Sequence, residues 1–171
     1  MNNKQLAAFS ESLKGLAKLK QLTLTLNDLW DVSDEGIEVL GNGLKGLKSL
    51  NSLRLEFPYM RMLTSKGLIK FCSGLGSLNK LTFLHLDVHG NEKLDKEIVN
   101  SLGAVLKGMS VLSTAYLDFN GCKGIKGDLE PLLKTLGQLK MLKTITLIAS
   151  HLRSSVIGSQ YLTHIPNQNI S

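Results

Sequence analysis

Residues 47–55 read LKSLNSLRL, and the same spacing of apolar residues occurs in four further stretches of the chain. The first leucine of this stretch has counterparts at steps of 31, 31, 31 and 30 residues, and the full set is Leu16, Leu47, Leu78, Met109 and Leu139. A fixed period in this range is typical of repeat proteins, because one unit is too small to bury its own apolar face and packs on its neighbours. The sequence therefore predicts five stacked units.

Each unit is predicted to open with an amphipathic helix. Apolar residues lie ten, seven and three positions before the first leucine, as Ile37, Leu40 and Leu44 do in the second unit, and this spacing places them on one helical face. The predicted N-caps, whose side-chain oxygens can accept hydrogen bonds from helical N–H groups, are Asn2, Ser33, Thr64, Asp95 and, later in the fifth unit, Asp128. The glycines predicted to end the helices in the left-handed conformation are Gly15, Gly46, Gly76, Gly108 and Gly137.

After each helix the apolar period changes to two. Residues 22–26, 53–57, 84–88, 115–119 and 145–149 alternate between the two sides as half-buried strands do. Because strand, loop and helix recur in one direction, the strands are predicted to form a parallel sheet with the helices on one side of it.

The pattern L-x-x-L-x-L-x-x-N resembles the leucine-rich repeat family, and long, helix-bearing units such as these resemble its ribonuclease-inhibitor-like class, although a period of 31 residues exceeds the usual length in that class. It is matched at Leu19, Leu22, Leu24 and Asn27, and again at Leu112, Ala115, Leu117 and Asn120. The resemblance covers roughly residues 2–152 and implies an α/β solenoid, a curved horseshoe segment with parallel strands on the concave side and helices on the convex side. Residues 1–152 are interpreted as the repeat domain, and residues 153–171 as a C-terminal tail that forms a partial cap or is disordered.

Composition limits the class of protein. With 171 residues, 43% of them hydrophobic, and a net charge of +6, the chain is predicted to be a single packed domain. It has no apolar stretch of the roughly 18 residues that a membrane span requires and no apolar signal core near its first residue. Two cysteines 50 positions apart indicate neither a disulfide framework nor a zinc site. We therefore predict a cytoplasmic protein without membrane contact.

One loop position is expected to pack inward in each unit, and it holds Leu29, Met60, Asn91, Cys122 and Leu152. Cys122 is therefore predicted to be a structural thiol, as is Cys72 beside the apolar face of its helix. A buried Asn91 would need hydrogen-bond partners, so we expect a local rearrangement of its loop.

The resemblance implies that partners bind on the concave strand face, and the alternation predicts which side chains point there. The candidate partner-binding residues are Arg54, Glu56, Phe83, His85, Asp87, Tyr116 and Asp118. Glu56, Asp87 and Asp118 would form a column of carboxylates about 4.8 Å apart, which repel one another unless a cation is present. We interpret this column as a site for a basic peptide or protein surface, with Phe83 and Tyr116 as aromatic anchors.

Two alternatives exist for this face. It can be a solvated polar surface in which Arg54 neutralises Glu56 and Asp87, or a metal site made of His85 and the three carboxylates. We predict no metal and no cofactor.

A second candidate surface is a lysine-rich edge where the helices end and the strands begin. Its members are Lys14, Lys18, Lys20, Lys45, Lys48, Lys80, Lys107, Lys134, Lys140 and Lys143. Lysines near helix C-termini offset the helix dipole, and this interpretation is favoured over an anionic partner because aromatic residues are not interleaved and arginine is scarce. A nucleic-acid partner is not predicted.

No sequence motif for a phosphate-binding loop, a nucleophile elbow or a metal-ligand pair is present. We therefore predict a non-enzymatic protein–protein interaction module. The alternatives are a structural subunit of a larger intracellular assembly, held by its solenoid ends and its lysine-rich edge, and a regulator of a small GTPase. The solenoid ends also offer a surface for self-association.

Overall fold

The computed structural model describes residues 1–27, 29–125 and 129–149. In these residues five helices alternate with five strands. The helices are α1 (Asn3–Lys14), α2 (Asp34–Leu44), α3 (Ser65–Leu75), α4 (Lys96–Lys107) and α5 (Glu130–Gly137), and the strands are β1 (Gln21–Thr25), β2 (Ser52–Glu56), β3 (Phe83–Asp87), β4 (Thr114–Asp118) and β5 (Thr144–Ile148). The predicted tail at residues 153–171 lies outside the described residues.

The five strands form one parallel sheet in the order β1-β2-β3-β4-β5, so the predicted parallel sheet is confirmed. Each residue pairs with its counterpart in the next unit, as Leu24 does with Leu55 and Leu55 with Leu86. Every strand begins one residue before the predicted run. The backbone pairing continues past the strands, from the N–H of Leu26 to the carbonyl of Glu56 at 2.8 Å and from Phe57 to Asp87 at 2.8 Å.

The hydrophobic core lies between the sheet and the helices. Alternate strand residues such as Leu53 and Leu84 are fully buried and belong to the same cluster as the helix residues Leu40 and Leu68. The helices pack on one another in chain order. None of these five helices covers the opposite side of the sheet, where the other strand residues point.

The sequence identifies four helix starts correctly, since the N-caps of α1 to α4 are Asn2, Ser33, Thr64 and Asp95. Asn2 accepts a hydrogen bond from the backbone N–H of Gln5 at 3.0 Å, and Asp95 accepts one from Glu97 at 2.9 Å. Ser33 caps its helix without such a bond. The N-cap position of α5 is Leu129, and the predicted cap Asp128 lies outside the described residues.

The prediction that glycines end the helices in the left-handed conformation is wrong. The φ angles of Gly15, Gly76 and Gly108 are −78°, −59° and −79°. Each helix runs instead into a tight turn closed by a bond three residues back, as from the N–H of Leu16 to the carbonyl of Leu13 at 3.0 Å, and such turns keep right-handed φ angles. Positive φ angles in the described residues occur in the loops after the strands, at Tyr59, Gly90 and Gly121.

Both cysteines are buried free thiols, as predicted. Burial raises the pKa of Cys72 and of Cys122 to about 12, which keeps both protonated. The Sγ of Cys122 donates to the carbonyl of Val88 at 3.2 Å. Of the helices in the described part of the chain, none is both long and apolar enough to cross a membrane.

The expected rearrangement of the loop around Asn91 is wrong. Asn91 is buried, with 1% of its surface exposed, and its loop has the same pattern of turns as the loop one unit earlier. Its Nδ2 donates to the carbonyls of Phe57 and Val88, both at 2.7 Å, and its Oδ1 accepts from the backbone N–H of Met60 at 2.8 Å. The amide therefore finds its partners in the backbone of two adjacent loops.

Candidate functional site

The side of the sheet without helices carries all seven predicted site residues. We call this surface the polar face; its members are Arg54, Glu56, Phe83, His85, Asp87, Tyr116 and Asp118. The strand register places Arg54 beside His85 and His85 beside Tyr116, and it places Glu56 beside Asp87 and Asp87 beside Asp118. Both predicted columns are therefore present.

Glu56 is paired within the polar face. Its Oε1 accepts from the Nε of Arg54 at 2.6 Å and also lies 2.6 Å from the Nη2, and its Oε2 accepts from the hydroxyl of Thr25 at 2.8 Å. The bond from Thr25, followed by the bond and the charge of Arg54, holds the pKa of Glu56 below its usual value although burial opposes the shift. Arg54 thus offsets Glu56, as one of the two alternatives for this face predicts.

Asp87 is paired with a residue that the sequence did not identify as part of the site. Its Oδ1 accepts from the backbone N–H of His89 at 2.9 Å and lies 2.7 Å from the imidazole Nδ1 of the same residue. The signal that could have revealed His89 is its position two residues after Asp87, at the point where the chain turns out of β3. Arg54 therefore does not serve as the partner of both acids.

His85 and Tyr116 form an aromatic platform in the middle of the polar face. Their rings are stacked, with centroids 4.1 Å apart and an angle of 1° between the planes. His85 is only 7% exposed. Burial, and next the charge of Arg54, lower the pKa of His85, so its ring is neutral at pH 7. Phe83 lies two residues before His85 on the same side of β3 and is half-buried.

Asp118 is the most buried acid of the polar face, with 8% of its surface exposed. Its Oδ1 accepts from the backbone N–H of Asn120 at 2.8 Å, and its Oδ2 lies 3.3 Å from the hydroxyl of Tyr116. Burial, and then the adjacent charge of Asp87, raise the pKa of Asp118. In the described part of the chain, no lysine or arginine forms a salt bridge with Asp87 or Asp118.

Asp87, His89 and Asp118 each place one potential ligand atom within 4.8 Å of the others. This set differs from the one considered from the sequence, because it contains His89 instead of His85 and excludes Glu56. The hydrogen bonds described above already engage these side chains. Geometry alone therefore does not assign a metal ion to them.

The lysine-rich edge lies at the opposite ends of the strands from Asp87 and Asp118, and all ten of its lysines are exposed. Lys14 pairs with Glu11 at 2.5 Å, and Lys45 donates to Asn42 at 2.7 Å. Exposed pairs of this kind contribute little to stability.

The polar face thus offers two carboxylates beside a stacked aromatic pair, an arrangement that can bind a cationic group. Neither a scan against models of known protein families nor a search of the curated proteins found a match to this chain.

Proposed function

We propose that this chain is a leucine-rich repeat solenoid of the ribonuclease-inhibitor-like class, and that it acts as a non-enzymatic interaction module whose polar face binds a basic surface of a partner protein. The observation that carries the proposal is the pair Asp87 and Asp118, which lie side by side on neighbouring strands next to the His85–Tyr116 stack.

Contacts at the repeat distance support the solenoid. The hydroxyl of Thr64 donates to Asp34, and the hydroxyl of Ser65 accepts from the backbone N–H of Asp95, in each case across 30 residues. The bond from Thr25 to Glu56 spans 31 residues. Side chains of one unit therefore contact the equivalent position of the next unit or the position beside it, as expected when units stack in one direction.

The charge of the polar face supports a basic partner. The whole chain carries a net charge of +6, but this face contains three carboxylates and one arginine. Arg54 offsets Glu56, whereas Asp87 contacts only the imidazole of His89 among the described basic side chains and Asp118 pairs with no described lysine or arginine, so these two carboxylates lack a fixed cation. A cation placed between them would relieve their repulsion, and a complementary field would also speed association.

Neutralising the acids is expected to weaken binding of a basic partner. Each exposed ion pair contributes up to about 1 kcal/mol, so the variant Glu56→Gln, Asp87→Asn and Asp118→Asn should bind roughly tenfold or more weakly. The probe is a fluorescein-labelled peptide that alternates lysine or arginine with apolar residues, and anisotropy measures its affinity.

A matched control removes the same number of charges from the helices, by Glu11→Gln, Glu38→Gln and Glu130→Gln. It should bind the peptide as the wild type does. An equal loss of affinity in both triple variants would show that only the overall charge of the protein matters. An unchanged affinity in the polar-face variant would contradict the proposal.

Asp118→Asn alone is expected to stabilise the fold while it weakens binding. The pKa of Asp118 is higher in the folded protein than in the unfolded chain. The stability that results from this difference is fully present below the unfolded pKa, and it is lost as pH rises through the folded pKa. Asparagine does not titrate, and the gain at pH 7 should be about 1 kcal/mol, the repulsion of two unit charges at strand spacing in water.

Urea unfolding over a series of pH values from 7 downward measures this gain, which should shrink as Asp118 becomes protonated in the wild type. A loss of stability at pH 7 would indicate that the Asp118 carboxylate stabilises the fold, and it would contradict a role of this group in binding a partner.

A further inference from the structure

The loops that follow β1 to β4 surround a cleft at the edge of the sheet where these strands end. Its volume is about 860 Å³. We call it the aromatic cleft, and the lining residues that matter here are Trp30, Tyr59, Arg61, Met62, Lys93 and Lys123. His89 also lines the cleft, so the cleft adjoins the polar face at the partner of Asp87.

Large apolar side chains are exposed in this cleft. Trp30 and Tyr59 are each 58% exposed and Met62 is 49% exposed, whereas Phe57, the first residue after β2, is fully buried. Folding therefore leaves two aromatic rings and a thioether in water within one cavity. Clustered apolar surface of this kind marks binding sites, and tryptophan and tyrosine are the residues most enriched where binding energy is concentrated.

The rings are held in place before any partner binds. The guanidinium carbon of Arg61 lies 4.8 Å from the centre of the Trp30 ring. Tyr59 has a φ angle of 54°, a conformation that costs free energy in a residue with a side chain, and its backbone N–H donates to the carbonyl of His89 at 3.0 Å. A Cβ on Gly90 would overlap the Tyr59 ring, so this position must be glycine for the ring to lie there. A rigid site loses less entropy on binding.

The cleft is positively charged. Arg61, Lys93 and Lys123 line it, and the one carboxylate among the described lining residues belongs to Glu92, which pairs with Lys123 at 2.6 Å. Arg61 and Lys93 form no salt bridge with any carboxylate that the structure describes. The stacked guanidinium of Arg61 can still donate hydrogen bonds in its own plane to a carboxylate.

We propose that the aromatic cleft binds an acidic peptide segment of a partner protein. An apolar side chain of that segment packs on Trp30, Tyr59 and Met62, and neighbouring carboxylates of the segment pair with Arg61 and Lys93. This site is distinct from the polar face, carries the opposite charge and does not depend on the function proposed for that face.

The charges around the cleft favour a short acidic segment over a nucleic acid. A nucleic-acid strand carries a phosphate at every nucleotide and is bound by an extended series of cations. A strand that continued from the cleft onto the adjoining polar face would meet Asp87 and Asp118. A segment with a few carboxylates can place all of them inside the cleft.

Trp30 is the single tryptophan of the chain, so its fluorescence reports directly on the cleft. The probe is a synthetic peptide, free of tryptophan, in which leucine is flanked by aspartates and glutamates. We expect a saturable blue shift of Trp30 emission as the peptide covers the ring. A second peptide with asparagine and glutamine in place of the acids, and a third with serine in place of leucine, should each bind about tenfold or more weakly.

Variants separate this site from the rest of the surface. Arg61→Gln with Lys93→Gln should weaken binding of the acidic peptide about tenfold, while the matched pair Lys48→Gln with Lys80→Gln on the lysine-rich edge should not change it. The triple polar-face variant should bind the acidic peptide at least as well as the wild type, so failure here and failure of the proposed function are distinguishable.

Three results would overturn the proposal: no blue shift with the acidic peptide, an equal affinity for its uncharged counterpart, or tighter binding of a single-stranded oligonucleotide of the same charge. The last result would identify the cleft as a nucleic-acid site. Far-ultraviolet circular dichroism of each variant verifies that it is folded.

Discussion

Gly74→Ala is expected to lower the free energy of unfolding by about 3 kcal/mol or more, the upper end of the range for overpacking a close contact. Gly74 lies in α3 at a close contact with α2. A Cβ at this position would overlap the carbonyl oxygen of Gly41 and would lie 2.6 Å from the carbonyl carbon. Both neighbours are backbone atoms, which cannot turn aside as a flexible side chain can. The two helices would have to separate.

Urea unfolding followed by circular dichroism measures this effect. Gly137→Ala is the matched control, because Gly137 also lies in a helix and a Cβ there would meet no other atom within 4 Å. Alanine reduces the entropy of the unfolded chain, so the control should be neutral or more stable by up to about 1 kcal/mol. A similar result for the two variants would show that α2 and α3 are free to move apart.

This close approach could not be predicted from the repeat. The apolar spacing predicts which face of each helix is buried, because that face depends only on the helical period. It does not predict how near two helices come. The position of Gly74 holds Gly43 in the preceding unit but Val105 in the following one, so glycine is not a property of the repeat. Correspondingly, α1, α2 and α3 pack more closely on one another than α4 packs on its neighbours.

The polar face could be located from the sequence but its pairings could not. Alternation along a strand determines the side to which a residue points, and the constant period aligns equivalent residues on adjacent strands. The sequence allows Arg54 to pair with Glu56 or with Asp87. Side-chain rotamers determine which of the two acids it contacts, and the sequence pattern does not predict rotamers. The partner of Asp87 is His89, which lies outside the strand and therefore outside the alternating pattern.

The aromatic cleft was not predicted at all. Its residues come from four separate loops, and the repeat describes the mean path of a loop but not its particular side chains. Trp30 and Met62 are apolar residues at loop positions where the repeat requires none. Such exceptions to a regular pattern are the signal that could have indicated this surface.

Asn91→Leu is expected to destabilise the protein by about 3 kcal/mol, because a buried polar group that loses its partner costs about 1–3 kcal/mol. The repeat alone suggests the opposite result, since the equivalent residues Leu29 and Met60 are apolar. In the structure the side chain of Asn91 bonds to the carbonyls of Phe57 and Val88 and to the N–H of Met60. Leucine would fill the space but would remove the partner of the Phe57 carbonyl and of the Met60 N–H, and the Val88 carbonyl would keep only the bond from the thiol of Cys122.

Two further variants separate the hydrogen bonds from the change in polarity. Asn100→Leu makes the same substitution at an exposed position of α4 and should change the free energy of unfolding by less than about 0.5 kcal/mol. Asn91→Asp keeps an acceptor for Met60 but removes both donors, so it should also be strongly destabilising. If Asn91→Leu were instead as stable as the wild type, the backbone N–H and carbonyl groups of the two loops would have to find other hydrogen-bond partners. The asparagine would then have no structural role at this position.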